Sequence, residues 1–149
     1  MVTPTVLNMA NKSSGITLKV IGVVRRGETT SDIVIDSSLT EALDNLDEFS
    51  HIIVLYWMHQ VAALGQVPTK VHPMGKQGIP LKGVFATRSP NRPNPVGKAT
   101  VRLLQRQGNI LKVEGLDAID GTPIIDIKPY IPGYDSATNA KVPLWITNH

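Results

Sequence analysis

The sequence predicts a mainly β fold, a small and mostly antiparallel barrel with one short capped helix. Three observations carry that expectation. About seven short stretches rich in β-branched residues are separated by turn residues. A single stretch shows a helical period. Nowhere do strand and helix alternate regularly, as a parallel sheet requires. The 149 residues are a one-domain length. Residues 1–15 read as a flexible tail and 16–149 as the single barrel domain.

In chain order, Thr17–Arg26 reads as the first strand, Gly27–Thr30 as a turn and Ser31–Asp36 as the hairpin partner. The stretch SSLTEALDNLDEF, Ser37–Phe49, is the predicted helix. Ser38 with Glu41 three residues on makes a capping box, and Leu39, Ala42, Leu43, Leu46 and Phe49 line one face. Ser50–Gln60 follows as a long apolar strand, with His51, Ile53, Leu55, Trp57 and His59 on one face by alternation. Its two histidines would lie roughly 26 Å apart, too far to share a metal unless the strand bends sharply. Tyr56 and Trp57 read as core aromatics rather than stacking platforms. Gly65–Lys82 has three prolines and three glycines and so reads as loop, interrupted by a short strand at Thr69–His72. Lys98–Gln107 and Ile110–Ile119 flank Gly108-Asn109 as a hairpin. Asp120–Asp135 reads as a turn, a short strand and a proline-broken tail.

Composition excludes several classes. No apolar run approaches a membrane span, the longest being Ile52–Trp57. The first fifteen residues lack the basic start and apolar core of a secretory signal. The absence of cysteine removes disulfides, thiolate metal sites and thiol nucleophiles, and fits the cytoplasm. No Gly-x-Gly-x-x-Gly, phosphate loop, zinc spacing or Ser-His-Asp signature is present, so no metal is expected. Charge, by contrast, is segregated. Thr69–Lys112 holds nine cations and no acid, whereas acids outnumber cations seven to four before it and five to two after it. Such a block is the footprint of a polyanion site, unless folding scatters its cations over several faces.

Inside that block lies GVFATRSPNRPNPVG, Gly83–Gly97. Its prolines fix φ and hold the preceding residues extended, so the backbone is ordered before any ligand arrives. Arg88 and Arg92 offer planar forks for carboxylate or phosphate, and Asn91 and Asn94 offer paired donors and acceptors. The alternative is a rigid loop with solvated charges. A second segment, Asp120-Gly121-Thr122-Pro123, is a turn signal. In the strand after it Asp126, Lys128 and Tyr130 share a face, a row plausible as a site wall.

Four stretches, IGVV, LDEFSHIIVLYWMH, GVFATRSPNRPNPVG and GLDAIDGTPIIDIKPYIPGYD, together resemble the TsaA-like family, also called TrmO or YaeB-like. They occur in the family's order over Leu18–Asp135. The resemblance implies a small β-barrel, usually a cytoplasmic homodimer, that binds S-adenosylmethionine without a Rossmann fold. The implied activity is methylation of N(6) of threonylcarbamoyl-modified adenosine at tRNA position 37. Motif matching carries the cofactor role to Arg88, Ser89, Asn91, Arg92, Pro93, Asp120, Gly121 and Thr122. Asn91, Asn94, Asp126 and Tyr130 become catalytic candidates, an oxygen from Asn91, Asn94 or Asp126, or from a proline carbonyl, holding the adenine N–H. Lys82, Arg92, Lys98 and Lys128 become contacts for the tRNA.

Departures from the family pattern narrow this implication. VVRRGETTSDIVID turns back at once and lacks the Pro-x-Gln element of members that act on tRNA. The bacterial tRNA enzyme has a further region after the segment matching GYD, and commonly an arginine before the mid-loop proline, where this chain has His72-Pro73. A non-catalytic cofactor and RNA-binding module, and a methyltransferase for another RNA or a small molecule, are the alternatives.

Overall fold

The structure, a computed structural model, describes residues 15–146. Of the tail expected over 1–15, all but Gly15 lies outside the described residues. Six strands form a closed barrel: β1 (Gly22–Arg26), β2 (Ser31–Ile35), β3 (His51–Trp57), β6 (Val96–Gln107), β7 (Ile110–Glu114) and β8 (Pro123–Pro129). Their order around it is β1-β2-β7-β6-β3-β8, every pairing is antiparallel, and Gly22 opposite Ile124 closes the ring. Closure leaves no unpaired edge along the barrel. Outside it, β4 (Lys70–Val71) and β5 (Lys82–Gly83) make a two-stranded sheet.

Alternation builds the interior. On β7, Leu111 and Val113 are fully buried while Lys112 between them is exposed. Ile33, Ile52, Val54, Val101 and Ile124 are likewise at most 1% exposed. Each such side chain contributes about 1.5–3 kcal/mol on leaving water. The mainly β, barrel-forming expectation therefore holds, with β4 at the short strand expected over Thr69–His72 and β5 at the end of the stretch expected to be loop.

Three expected elements differ. The helix over Ser37–Phe49 is two short 3-10 segments, Ser37–Leu43 and Leu46–Glu48. Its cap is Asp36, whose carboxylate accepts from the Ser38 backbone N–H (2.9 Å) and hydroxyl (2.8 Å), so the expected Ser38–Glu41 box does not form. Those bonds hold the Asp36 carboxyl below its ordinary range. Asn45 then turns left-handed at φ 70° and ends the first segment. Strand β3 stops at Trp57, after its pairing with β8 shifts register between Leu55 and Tyr56. His59 therefore opens a single helical turn, α1 (His59–Ala62), and leaves the strand face it was expected to share with His51. Strand β1 starts only at Gly22, five residues later than Thr17, although Ile21 still donates its N–H to the Ile124 carbonyl.

Candidate functional site

The Arg88–Pro95 loop is tied to itself. Thr87 donates its hydroxyl to the Val84 carbonyl (2.8 Å) and accepts from the Ser89 N–H (3.2 Å). The Ser89 hydroxyl in turn accepts from the Asn91 N–H (3.2 Å). Arg92 is half-buried and donates Nη1 to both the Thr87 (3.0 Å) and Ser89 (2.9 Å) carbonyls, while its guanidinium lies 6.0 Å from the centroid of the Phe85 ring. The Met58 N–H donates to the Pro95 carbonyl (2.8 Å) and docks the loop on the end of β3. One nitrogen of Arg92 is thus already committed to the loop's own backbone. Arg88, in contrast, is exposed and belongs to none of the three ion pairs among the described residues.

This loop walls three clefts. On one side lies an open cleft of about 610 Å³, lined by Lys70, Val71, His72, Met74, Gly75, Gln77, Leu81, Arg88, Ser89, Pro90 and Asn91. It contains no carboxylate. On the other side Pro90 also lines a smaller, mostly apolar cleft of about 250 Å³ with Tyr56, Met58, Gln60, Val61, Asp117, Ala118, Ile119 and Thr122. Asn91, Arg92, Pro93 and Pro95 line a third, of about 200 Å³, against Trp57 and the residues around α1. Asn94 lines none of these, and its carbonyl accepts from the Val96 N–H.

The Asp120–Thr122 turn forms the far wall of the apolar cleft through Thr122, and it is clamped to β1. Asp120 accepts from the Arg26 N–H (2.9 Å), Gly121 donates to Val24 (2.8 Å), and Val24 donates to Thr122 (3.0 Å). Gly121 carries this at φ 82°, a conformation other residues adopt at a cost. Thr122 is 2% exposed and gives its hydroxyl to the Ile119 carbonyl. Asp120 and Gly121 line none of the three clefts. The floor of the apolar cleft is Tyr56, whose ring lies against Gly97 on β6. Burial, with help from the Asp117 carboxylate, pushes the Tyr56 phenol up, so it stays a neutral donor at neutral pH.

The remaining sequence candidates lie elsewhere. Asp126 and Lys128 share the outer face of β8, as alternation predicted, and pair at 2.9 Å; that bond raises the Lys128 ammonium. Tyr130 packs edge-on against His51, with ring centroids 6.4 Å apart. Lys98 is exposed on β6, opposite Leu55, which also faces Asp126. None of Lys98, Asp126, Lys128 or Tyr130 lines a cleft that the Arg88–Pro95 loop lines. The basic block divides in the same way. Lys70 and Arg88 face the large cleft, Lys82 sits over the Trp145 ring at 5.4 Å, Arg106 pairs with Asp44 at 2.9 Å, and Lys112 is opposite Asp32.

Comparison with known proteins follows this architecture. The family model for the tRNA-methyltransferase O N-terminal domain matches residues 22–136, which include every barrel strand and all three clefts. The chain belongs to this family. Within the TrmO family it is 42% identical over 111 residues to an S-adenosyl-L-methionine-binding protein of Archaeoglobus fulgidus, covering 74% of this chain and 76% of that one. It is 38% identical over 124 residues to the tRNA (adenine(37)-N6)-methyltransferase of Escherichia coli, covering 80% of this chain and 52% of that one. The crystal structure of TrmO from Pseudomonas aeruginosa superposes with a TM-score of 0.67 at 28% identity, over 85% of this chain and 61% of that one. The chain spans 31% and 53% of the length of two further archaeal relatives.

Within the TrmO fold, sequence reasoning overlooked Tyr56, Met58, Lys70 and Gln77 as cleft residues. The available signal for Tyr56 was Gly97, a glycine inside a β-rich stretch, which marks a close approach. Among the described residues no helix is long and apolar enough to cross a membrane.

Proposed function

We propose that the chain is an S-adenosylmethionine-dependent methyltransferase that modifies N(6) of the threonylcarbamoyl-modified adenosine at tRNA position 37. One observation carries this reading: Pro90 and Thr122, from the two long family blocks, line one apolar cleft. That cleft fits the adenosyl part of the cofactor. Tyr56, Met58 and Ile119 supply apolar walls. Next to Met58 in sequence, though in none of the three cleft linings, the buried Nδ1 of His59 has no hydrogen-bond partner among the described residues. Arg88, two residues before Pro90 and in no ion pair among the described residues, offers its fork to the cofactor carboxylate.

When bound, the cofactor supplies an electrophilic methyl group, and the chain supplies position. Holding the acceptor amine in line is worth up to about 7–11 kcal/mol of barrier. Of the four catalytic candidates, Asn91 alone lines the clefts, and it is the one to which we assign the holding of an acceptor N–H. Asp120 and Gly121 serve by fixing Thr122, and Arg92 and Pro93 by fixing the loop. The homodimer, the cytoplasmic setting and the single domain over 16–149 are parts of the same proposal and rest on the family resemblance.

The test is transfer of labelled methyl from S-adenosylmethionine to tRNA with and without the threonylcarbamoyl group, followed by digestion to nucleosides. The expected result is label on N(6) of the modified adenosine only. Cofactor binding without transfer would favour a binding module, and turnover without RNA would favour a small-molecule acceptor.

A further inference from the structure

We infer that the part of the acid-free cleft remote from Pro90, built on the Lys70–Leu81 segment, is the docking site for the RNA strand that carries the acceptor nucleotide. The inference rests on the methyltransferase reading and adds a location and a set of contacts to it. Its volume of about 610 Å³ suits a nucleotide with its sugar and phosphate, within the roughly 300–1,000 Å³ of ordinary ligand sites. Its charge is one-sided: Lys70 and Arg88 line it, no carboxylate does, and neither cation belongs to an ion pair among the described residues. With Arg88 beside Pro90 and given to the cofactor, Lys70 on β4 is the cation left for a backbone phosphate.

The remaining lining suits a base and ribose. His72 Nδ1 lies 2.8 Å from the Ile79 carbonyl, which only accepts, so Nδ1 carries the proton. In the neutral ring Nε2 is then an acceptor, fit for a ribose hydroxyl or a base N–H. Gln77 adds an exposed amide with both donor and acceptor. Met74 holds φ at 56° beside Gly75 at 67°, two left-handed residues in succession, and is 51% exposed. A non-glycine residue held there is costly, and such residues cluster at ligand clamps. Its thioether is an adaptable apolar surface for a base face. Because Pro90 lines both this cleft and the apolar one, with Arg88 two residues before it in the large cleft, cofactor and acceptor would meet at this one wall.

Equilibrium binding of a short anticodon-hairpin RNA, without cofactor and over a series of salt concentrations, tests this independently of turnover. Lys70→Ala with Gln77→Ala is expected to weaken RNA binding about tenfold while leaving S-adenosylmethionine affinity unchanged. Lys70→Ala alone should lower the slope of log affinity against log salt by about 0.7–0.9, one phosphate contact, and Lys70→Arg should restore it. Unchanged RNA affinity and slope in these exposed-site variants would overturn the inference, as would a parallel loss of cofactor affinity. A parent chain that binds RNA at this cleft but transfers no methyl would sink the activity and leave the docking site standing.

Discussion

Gly97→Ala is expected to weaken S-adenosylmethionine binding at least tenfold and to destabilise the barrel by on the order of 1–3 kcal/mol, the usual cost of overpacking. A Cβ at Gly97 would lie 2.3 Å from Cε2 and 2.4 Å from Cζ of Tyr56, inside any allowed contact. The two residues are register partners on β6 and β3, so the backbone cannot part without breaking the ladder. The ring must therefore move from its place in the lining of the apolar cleft. Calorimetric titration with the cofactor and a thermal melt check both effects. Adding Tyr56→Ala should recover much of the stability lost, because the clash disappears with the ring, and such non-additivity identifies the pair. Normal cofactor affinity in a folded Gly97→Ala protein would place the cofactor elsewhere.

Arg92→Ala is expected to lower methylation by about 10- to 100-fold with little change in the melting of the barrel. The substitution removes two charge-assisted bonds, at 3.0 and 2.9 Å, and the cation–π contact with Phe85. Bonds of that type contribute about 1.5–3 kcal/mol, enough for the stated loss once the loop slackens. The loop lies outside the barrel core, which explains the spared stability. Arg92→Lys should recover only part of the rate, since an ammonium keeps the charge without the fixed guanidinium geometry that reaches both carbonyls. Steady-state rates with saturating cofactor read this directly. Full activity in Arg92→Ala would show that the loop holds its shape without the clamp.

The barrel was legible because alternation and turn chemistry are local. Lys112 between Leu111 and Val113, and Gly108-Asn109 between two apolar runs, state their structure within a few residues. The helix was misread because Asp36, one residue upstream of the expected segment, reaches Ser38 first, and Asn45 breaks the run. The site was legible as a loop and a turn but not as clefts. Nothing local reveals that Arg92 Nη1 bonds its own loop, that Asp120 caps Arg26, or that Tyr56, packed against the core, also lines a cleft. The nine-cation block looked like one surface because tertiary folding, which sets Arg106 beside Asp44 and Lys112 opposite Asp32, is not written in linear order.

The central claim is that the Arg88–Pro95 loop is a shared wall, with the cofactor on one side and the acceptor RNA on the other. Amide hydrogen exchange measured with S-adenosylmethionine, and then with RNA added, tests it most directly. The cofactor is expected to slow exchange at His59–Val61, Asn91–Arg92 and Ile119–Thr122, and RNA to add protection over Lys70–Leu81. Protection of a single common segment by both ligands, or cofactor protection confined to Lys70–Leu81, would contradict it.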